Sequence, residues 1–183
     1  MSELIMGLTK QEYGLFCKIL NSCSSYFEFG AGHSTVLADG IDNIVKVVSV
    51  DSCPFWIDDV SKRLKTTKVR FIPVDINAGT NYGYPLDKSK INNWPSYSKA
   101  VMSGFDVYFV DGRFRVACCL KVWEKMPDGA SLLVHDYGRE EYHVIEQFFN
   151  KIEQVDCLAL FQKKDADLSK VQEMYEKYKL VTK

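Results

Sequence analysis

The turn Gly30-Ala31-Gly32 constrains this chain more than any other feature. The apolar run Tyr26-Phe27-Glu28-Phe29 leads into it, and His33-Ser34-Thr35 after it opens what the pattern predicts to be a helix. Asp51 stands nineteen residues after Gly32, at the end of a second apolar run, Ile44 to Val50. Glycines let the backbone reverse tightly and let a ligand approach it closely. A strand, a glycine turn, a helix and a second strand ending in an acid begin a nucleotide-cradling α/β unit. In such a unit the acid accepts hydrogen bonds from the two ribose hydroxyls of an adenosine group. The dinucleotide fingerprint GxGxxG is not met, because Thr35 holds its third glycine position, and the chain has no lysine-bearing phosphate loop. An acid before the turn and no third glycine suit a ligand without a pyrophosphate.

The rest of the chain alternates helices with short apolar strands. Residues 9–22 carry a helical stripe of Tyr13, Phe16, Cys17, Ile19 and Leu20. Strands are predicted at Tyr26–Phe29, Val45–Val50, Val69–Ile76, Val107–Val110, Ser131–Val134 and Val155–Phe161. Helices are predicted from Ser34, over Pro54–Leu64, Arg115–Met126 and Glu141–Ile152, and over about 167–179. Pro73 cannot donate to a ladder, so the third strand belongs at a sheet edge. The fold class is α/β: a single Rossmann-like domain over 1–183, with helices on both faces of a mostly parallel sheet of 6–7 strands. Little apolar sequence remains after Phe161, so a closing antiparallel strand should be short or missing. Glu28, Asp51, Asp75, Asp111 and His135-Asp136 all fall at carboxyl ends of strands, the rim where an open parallel sheet binds its ligands.

Composition narrows the partners. A net charge of −1 over 183 residues gives no electrostatic case for nucleic acid or an anionic membrane. No apolar run approaches the roughly 20 residues that span a bilayer. Met1 to Lys18 lacks the apolar core of a secretory leader. The six cysteines have no zinc spacing and suit reduced thiols, hence a cytoplasmic location.

Three further stretches carry chemistry. In Asp106-Val-Tyr-Phe-Val-Asp111-Gly-Arg-Phe-Arg115, Asp111 ends a strand, and Arg113 and Arg115 are candidates for an anionic acceptor or for ion pairs with the acidic rim. After the fifth strand come His135, Asp136 and Tyr137. A hydroxyl nucleophile must lose its proton, and Asp111, His135 and Asp136 are the candidate bases. Between Asn77 and Met102 a long connection holds Tyr82, Tyr84, Trp94 and Tyr97, the content of a lid or an acceptor wall. His33 suits a shield over the glycine turn, and His143 a structural place in a helix.

Glu28-Phe29-Gly30-Ala31-Gly32, with Ser34 where a third glycine is common, resembles motif I of class I S-adenosylmethionine-dependent methyltransferases. The resemblance covers about residues 9–162. It implies S-adenosyl-L-methionine as cofactor and S-adenosyl-L-homocysteine as product. Glu28, Gly30, Ala31, Gly32 and Ser34 would line the methionine part. Asp51 and Ser52 would hold the ribose, Asp75 and Ile76 would flank the adenine, and Asp111 would lie beside the transferring methyl. Val110 to Arg115, with Val134-His135-Asp136-Tyr137, resembles small methyltransferases acting on sugars and glycans. A hydroxyl acceptor on a small molecule or glycan follows, with Tyr82, Tyr84, Trp94, Arg113, Arg115 and Tyr137 around it. Asp111 and Asp136 also match two ligand positions of magnesium-dependent O-methyltransferases of small phenols, but Tyr137 replaces the usual asparagine and is a poor ligand, so no metal site is assigned. A nicotinamide-dependent oxidoreductase and a non-catalytic cofactor-binding domain are the alternatives from other classes.

Overall fold

Residues 7–80 and 82–183 are described by a computed structural model. Residues 1–6, part of the Met1–Lys18 segment in which no secretory leader is expected, lie outside them. Strands β1 (Ser25–Phe29), β4 (Val107–Val110) and, but for its first residue, β2 (Lys46–Asp51) are buried throughout. Such continuous burial requires cover on both faces of the sheet. Alternate residues supply the two covers. Phe27, Phe29, Val48, Val50, Tyr108 and Val110 face α4 (Pro95–Lys99), α5 (Arg115–Lys125) and α6 (Leu168–Tyr178). Tyr26, Val47, Val107 and Phe109 face α1 (Lys10–Leu20) and α2 (His33–Gly40). Helix α1 starts at a capping box, in which Thr9 and Glu12 satisfy each other's backbone N–H groups.

The sheet has seven strands in the order β3-β2-β1-β4-β5-β7-β6, with β3 at Val69–Pro73, β5 at Ser131–Val134, β6 at Phe149–Val155 and β7 at Leu158–Lys163. Strands β1 to β5 run parallel, while β7 is antiparallel to both β5 and β6. The order reverses between β1 and β4, so connections diverge there and open a crevice at the carboxyl ends. Register sets its floor: Phe29 pairs with both Val50 and Val110, and Val110 pairs with Val134. Gly30, Asp51, Asp111 and His135 therefore emerge side by side.

Pro73 ends an edge strand, as its missing N–H demands. Other expectations need correction. The strand predicted to reach Ile76 stops at Pro73, and the helix predicted to reach Leu64 is α3 (Pro54–Ser61). Residues 77–102 hold a short 3-10 helix, Ile91–Asn93, and α4 rather than open loop alone. Glu141–Ile152 is not an α-helix: a 3-10 stretch, Glu140–Gln147, gives way to β6. The closing antiparallel strand is present as β7, and a turn at Asp156-Cys157 splits the single strand predicted over 155–161. The apolar spacing of Ile145, Phe148, Phe149 and Ile152 imitates a helix because a bulge between Lys151 and Glu153 breaks the two-residue period of β6. Ile152 is accordingly 53% exposed. Among the described residues no helix is long and apolar enough to cross a membrane.

Candidate functional site

A cavity of about 790 Å³ opens at the carboxyl ends of β1, β2, β4 and β5. Its first wall is the glycine turn. Gly30 has φ +98°, and a Cβ there would stand 2.8 Å from the Gly112 nitrogen. The turns after β1 and β4 thus touch backbone to backbone, and only glycine fits at this contact. Gly30, Ala31, Gly32 and Ser34 line the cavity, with His33 beside them.

Glu28 does not line it. Fully buried behind the turn, its carboxylate accepts from Tyr26 Oη (2.8 Å), Ser34 Oγ (2.6 Å) and the Thr35 hydroxyl. Burial pushes this carboxyl up to about 7, against the pull of those donors and Ser49. Thr35, the residue that breaks the dinucleotide fingerprint, accepts from Gly32 N (2.9 Å) and donates to Glu28. This chain of bonds fixes the start of α2 from inside.

Asp51 stands on the wall as expected. Its two oxygens accept from Ala31 N (2.9 Å) and Cys53 N (2.8 Å), which aims the carboxylate along the cavity. Burial raises its pKa, while those N–H groups and Arg113 counter the rise. Ser52 lines the cavity too and donates to the Gly83 carbonyl (3.4 Å). Asp75 and Ile76 do not reach it. Because β3 stops at Pro73, Asp75 turns outward to pair with Lys90 and accept from Asn77 N (3.0 Å), and Ile76 sinks into the core.

At the far end, His135 Nδ1 lies 3.0 Å from Asp111 Oδ1 and its Nε2 lies 3.8 Å from Glu12 Oε2. Both ring nitrogens therefore face carboxylates. Burial pulls His135 down, but the Asp111 hydrogen bond and the charges of Asp111 and Asp136 raise it above the ordinary histidine value. Burial likewise pushes Asp111 up, and the His135 bond and Arg115 outweigh it, holding the carboxyl below its usual range.

Arg115 is the keystone of this end. Nε donates to Gly112 O (3.1 Å), Nη1 to His135 O (2.6 Å), and Nη2 to Asp111 O (3.3 Å) and Asp111 Oδ1 (3.0 Å), while Nη1 also forms an ion pair with Asp136 Oδ2 (2.9 Å). These contacts give Arg115 the ion-pair role with the acidic rim that the sequence offered beside an anionic acceptor. Asp111, His135 and Asp136 do bring ligand atoms within 4.8 Å of one another. The guanidinium already bridges the two aspartates, so the donor set fits a cation poorly.

Of the expected acceptor residues, Tyr82, Tyr84, Arg113 and Arg115 line the cavity. Trp94 is buried against Phe114, and Tyr137 is buried against His143 and Phe161 while donating to Glu146 (2.8 Å). Both serve packing, because the segments expected to be loop and helix fold inward as α4 and the β6–β7 hairpin. The sequence reading missed Trp56, Arg139 and Glu12. Trp56 donates its indole N–H to the Ala31 carbonyl from α3. Its signal was the Pro54-Phe55-Trp56 run just after Asp51. Arg139 pairs with Asp136 (2.9 Å) and carries no local pattern. Glu12 was legible as the fourth residue of Thr9-x-x-Glu12, but its bond to Cys157 N (2.7 Å) was not.

No family model matches the chain, and no curated protein matches it. Solved structures do. A methyltransferase-like protein from Silicibacter pomeroyi DSS-3 superposes with a TM-score of 0.83 at 24% identity, covering 98% of each chain. The N-methyltransferase NodS from Bradyrhizobium japonicum WM9, in complex with S-adenosyl-L-homocysteine, gives 0.59 at 14% identity over 85% of this chain and 87% of its own. The tRNA (m1A58) methyltransferase TrmI from Aquifex aeolicus gives 0.58 at 17% over 86% and 69%. The chain has the Rossmann-like class I methyltransferase fold.

Proposed function

We propose that the protein is an S-adenosylmethionine-dependent methyltransferase that methylates a hydroxyl oxygen, with a sugar or glycan as the acceptor. The observation that carries this reading is the placement of Asp51 and Asp111 on one cavity wall, either side of the tightly packed Gly30 and Gly112 turns. S-adenosylmethionine supplies an electrophilic methyl on a sulfonium. Gly30 to Ser34 would receive its methionine part, and Asp51 would accept from the ribose hydroxyls. The cavity has room for a nucleoside and a small acceptor together.

Asp111 is the favoured base. Its Oδ1 is taken by Arg115 and His135, and its Oδ2 has no hydrogen-bond partner among the described residues. That oxygen is open to take the hydroxyl proton as the methyl bond forms. His135, with both nitrogens against carboxylates, positions Asp111 rather than meeting the acceptor. Asp136 is held by Arg115 and Arg139 and is placed to orient the end of β5. Tyr82 and Tyr84 offer flat faces to a sugar ring. Holding the acceptor oxygen in line with the methyl would provide much of the acceleration. The six free thiols support a reducing, cytoplasmic setting.

Calorimetric titration with S-adenosylhomocysteine tests the cofactor. Binding near micromolar, on the order of −8 kcal/mol, that falls at least about tenfold in Asp51→Ala is expected. Absence of binding by folded protein would overturn the reading.

A further inference from the structure

The cavity holds three arginines with very different surroundings. Arg115 makes four hydrogen bonds and pairs with Asp111 and Asp136, and Arg139 pairs with Asp136 and donates to Tyr142 Oη (3.2 Å). Arg113 is only 8% exposed, yet its guanidinium makes no ion pair among the described residues, and its buried Nε has no hydrogen-bond partner. The guanidinium instead lies 4.2 Å over the Tyr84 ring. Stacking covers one face of the plane, and neither Nη has a hydrogen-bond partner among the described residues; a guanidinium with two such nitrogens can grip a planar anion with two parallel bonds. A nearly buried cation with no carboxylate in ion-pair contact is costly to keep unless something else supplies the acceptor oxygens.

Its position says which ligand supplies them. Arg113 follows Asp111 and Gly112 in the turn after β4 and lines the same cavity as Asp51, so it stands on the wall that carries the favoured base. An acceptor presenting its hydroxyl to Asp111 would carry its neighbouring substituent to Arg113. Tyr84, stacked on Arg113, follows Gly83, whose carbonyl accepts from Ser52 Oγ (3.4 Å), so this plate spans the cavity wall between Ser52 and the turn after β4.

We propose that the acceptor is acidic, a uronate or a sugar phosphate, and that Arg113 on its Tyr84 plate clasps the carboxylate or phosphate beside the methylated hydroxyl. This rests on the methyl-transfer reading above. The cofactor's own carboxylate shares the same chemistry, so the test must separate the two sources.

Protein saturated with S-adenosylhomocysteine is titrated with D-glucuronate and with glucose 6-phosphate, using D-glucose as the neutral control. The arginine Nε–H resonances are followed, that of Arg113 being identified by its loss in Arg113→Lys. A saturable shift of this resonance with either acid at millimolar concentration, and none with glucose, is expected. Affinity for S-adenosylhomocysteine should stay within about twofold in Arg113→Gln and in Arg113→Lys. No acid-specific shift overturns the proposal. So does an affinity for S-adenosylhomocysteine that falls about tenfold in both variants, which gives Arg113 to the cofactor carboxylate. Failure of the wild type to bind S-adenosylhomocysteine sinks the cofactor reading instead, and an acid-specific shift without it still upholds the anion site.

Discussion

His135 shows how a side chain named for one role acquires another from its neighbours. Its pKa is raised in the fold, so its contribution to stability is complete below the unfolded value near 6.5 and is lost as pH rises through the folded value. The melting-temperature gap between wild type and His135→Asn should be wide at about pH 5.5 and narrow at about pH 9. A gap that widens with pH contradicts the imidazolium held between Asp111 and Glu12. Arg115 makes a stronger claim. Replacing it by methionine leaves Asp111 and Asp136 without their shared cation, and a loss of about 3–5 kcal/mol is expected in denaturant melts. A loss below about 1 kcal/mol would show these bonds and ion pairs to be incidental. Asp51, Asp111, His135 and Asp136 were legible because strand-ending acids announce themselves at the end of apolar runs. The division of labour between Arg113 and Arg115 was not, since two arginines two residues apart look alike until the start of α5 turns one onto β5 and the other toward Tyr84.

Where two elements meet, small changes decide the outcome. The turns after β1 and β4 press Gly30 against Gly112, and a Cβ on Gly112 would run into the Tyr97 hydroxyl and stand 3.0 Å from the Gly30 nitrogen. Gly112→Ala should therefore cost about 2–4 kcal/mol by overpacking and weaken S-adenosylhomocysteine binding, both readable from melts with and without ligand. An unchanged melt would mean that the turns yield freely. The same level explains which elements the sequence displayed. Strands β1, β2, β4 and β5 were placed within a residue or two because each is a short apolar run closed by a polar residue. The carboxyl-terminal hairpin was hidden because β6 keeps one face in solvent and carries a bulge, so its apolar spacing matches a helix as well as a strand. Asp75 was misplaced for a related reason: the apolar run continues to Ile76, but the ladder ends at Pro73.

Taken whole, the molecule is a sheet whose topology was readable from alternating elements and whose active edge was readable from where the acids fall. Its metal balance depends on long-range packing that no local pattern reveals. With Arg115 bridging the aspartates, EDTA should leave the melting temperature of the S-adenosylhomocysteine complex unchanged to within about 1 °C, less than a 1 kcal/mol change would produce. A drop restored by magnesium would overturn that expectation. The sheet's two outer strands have a further consequence. One ends in the exposed Pro73, and the other is bulged between Lys151 and Glu153. A second chain seeking to add a strand meets a missing donor on one side, and charge with broken spacing on the other. Both features discourage strand addition, so refolding at high concentration should stay clear of amyloid-like stacking.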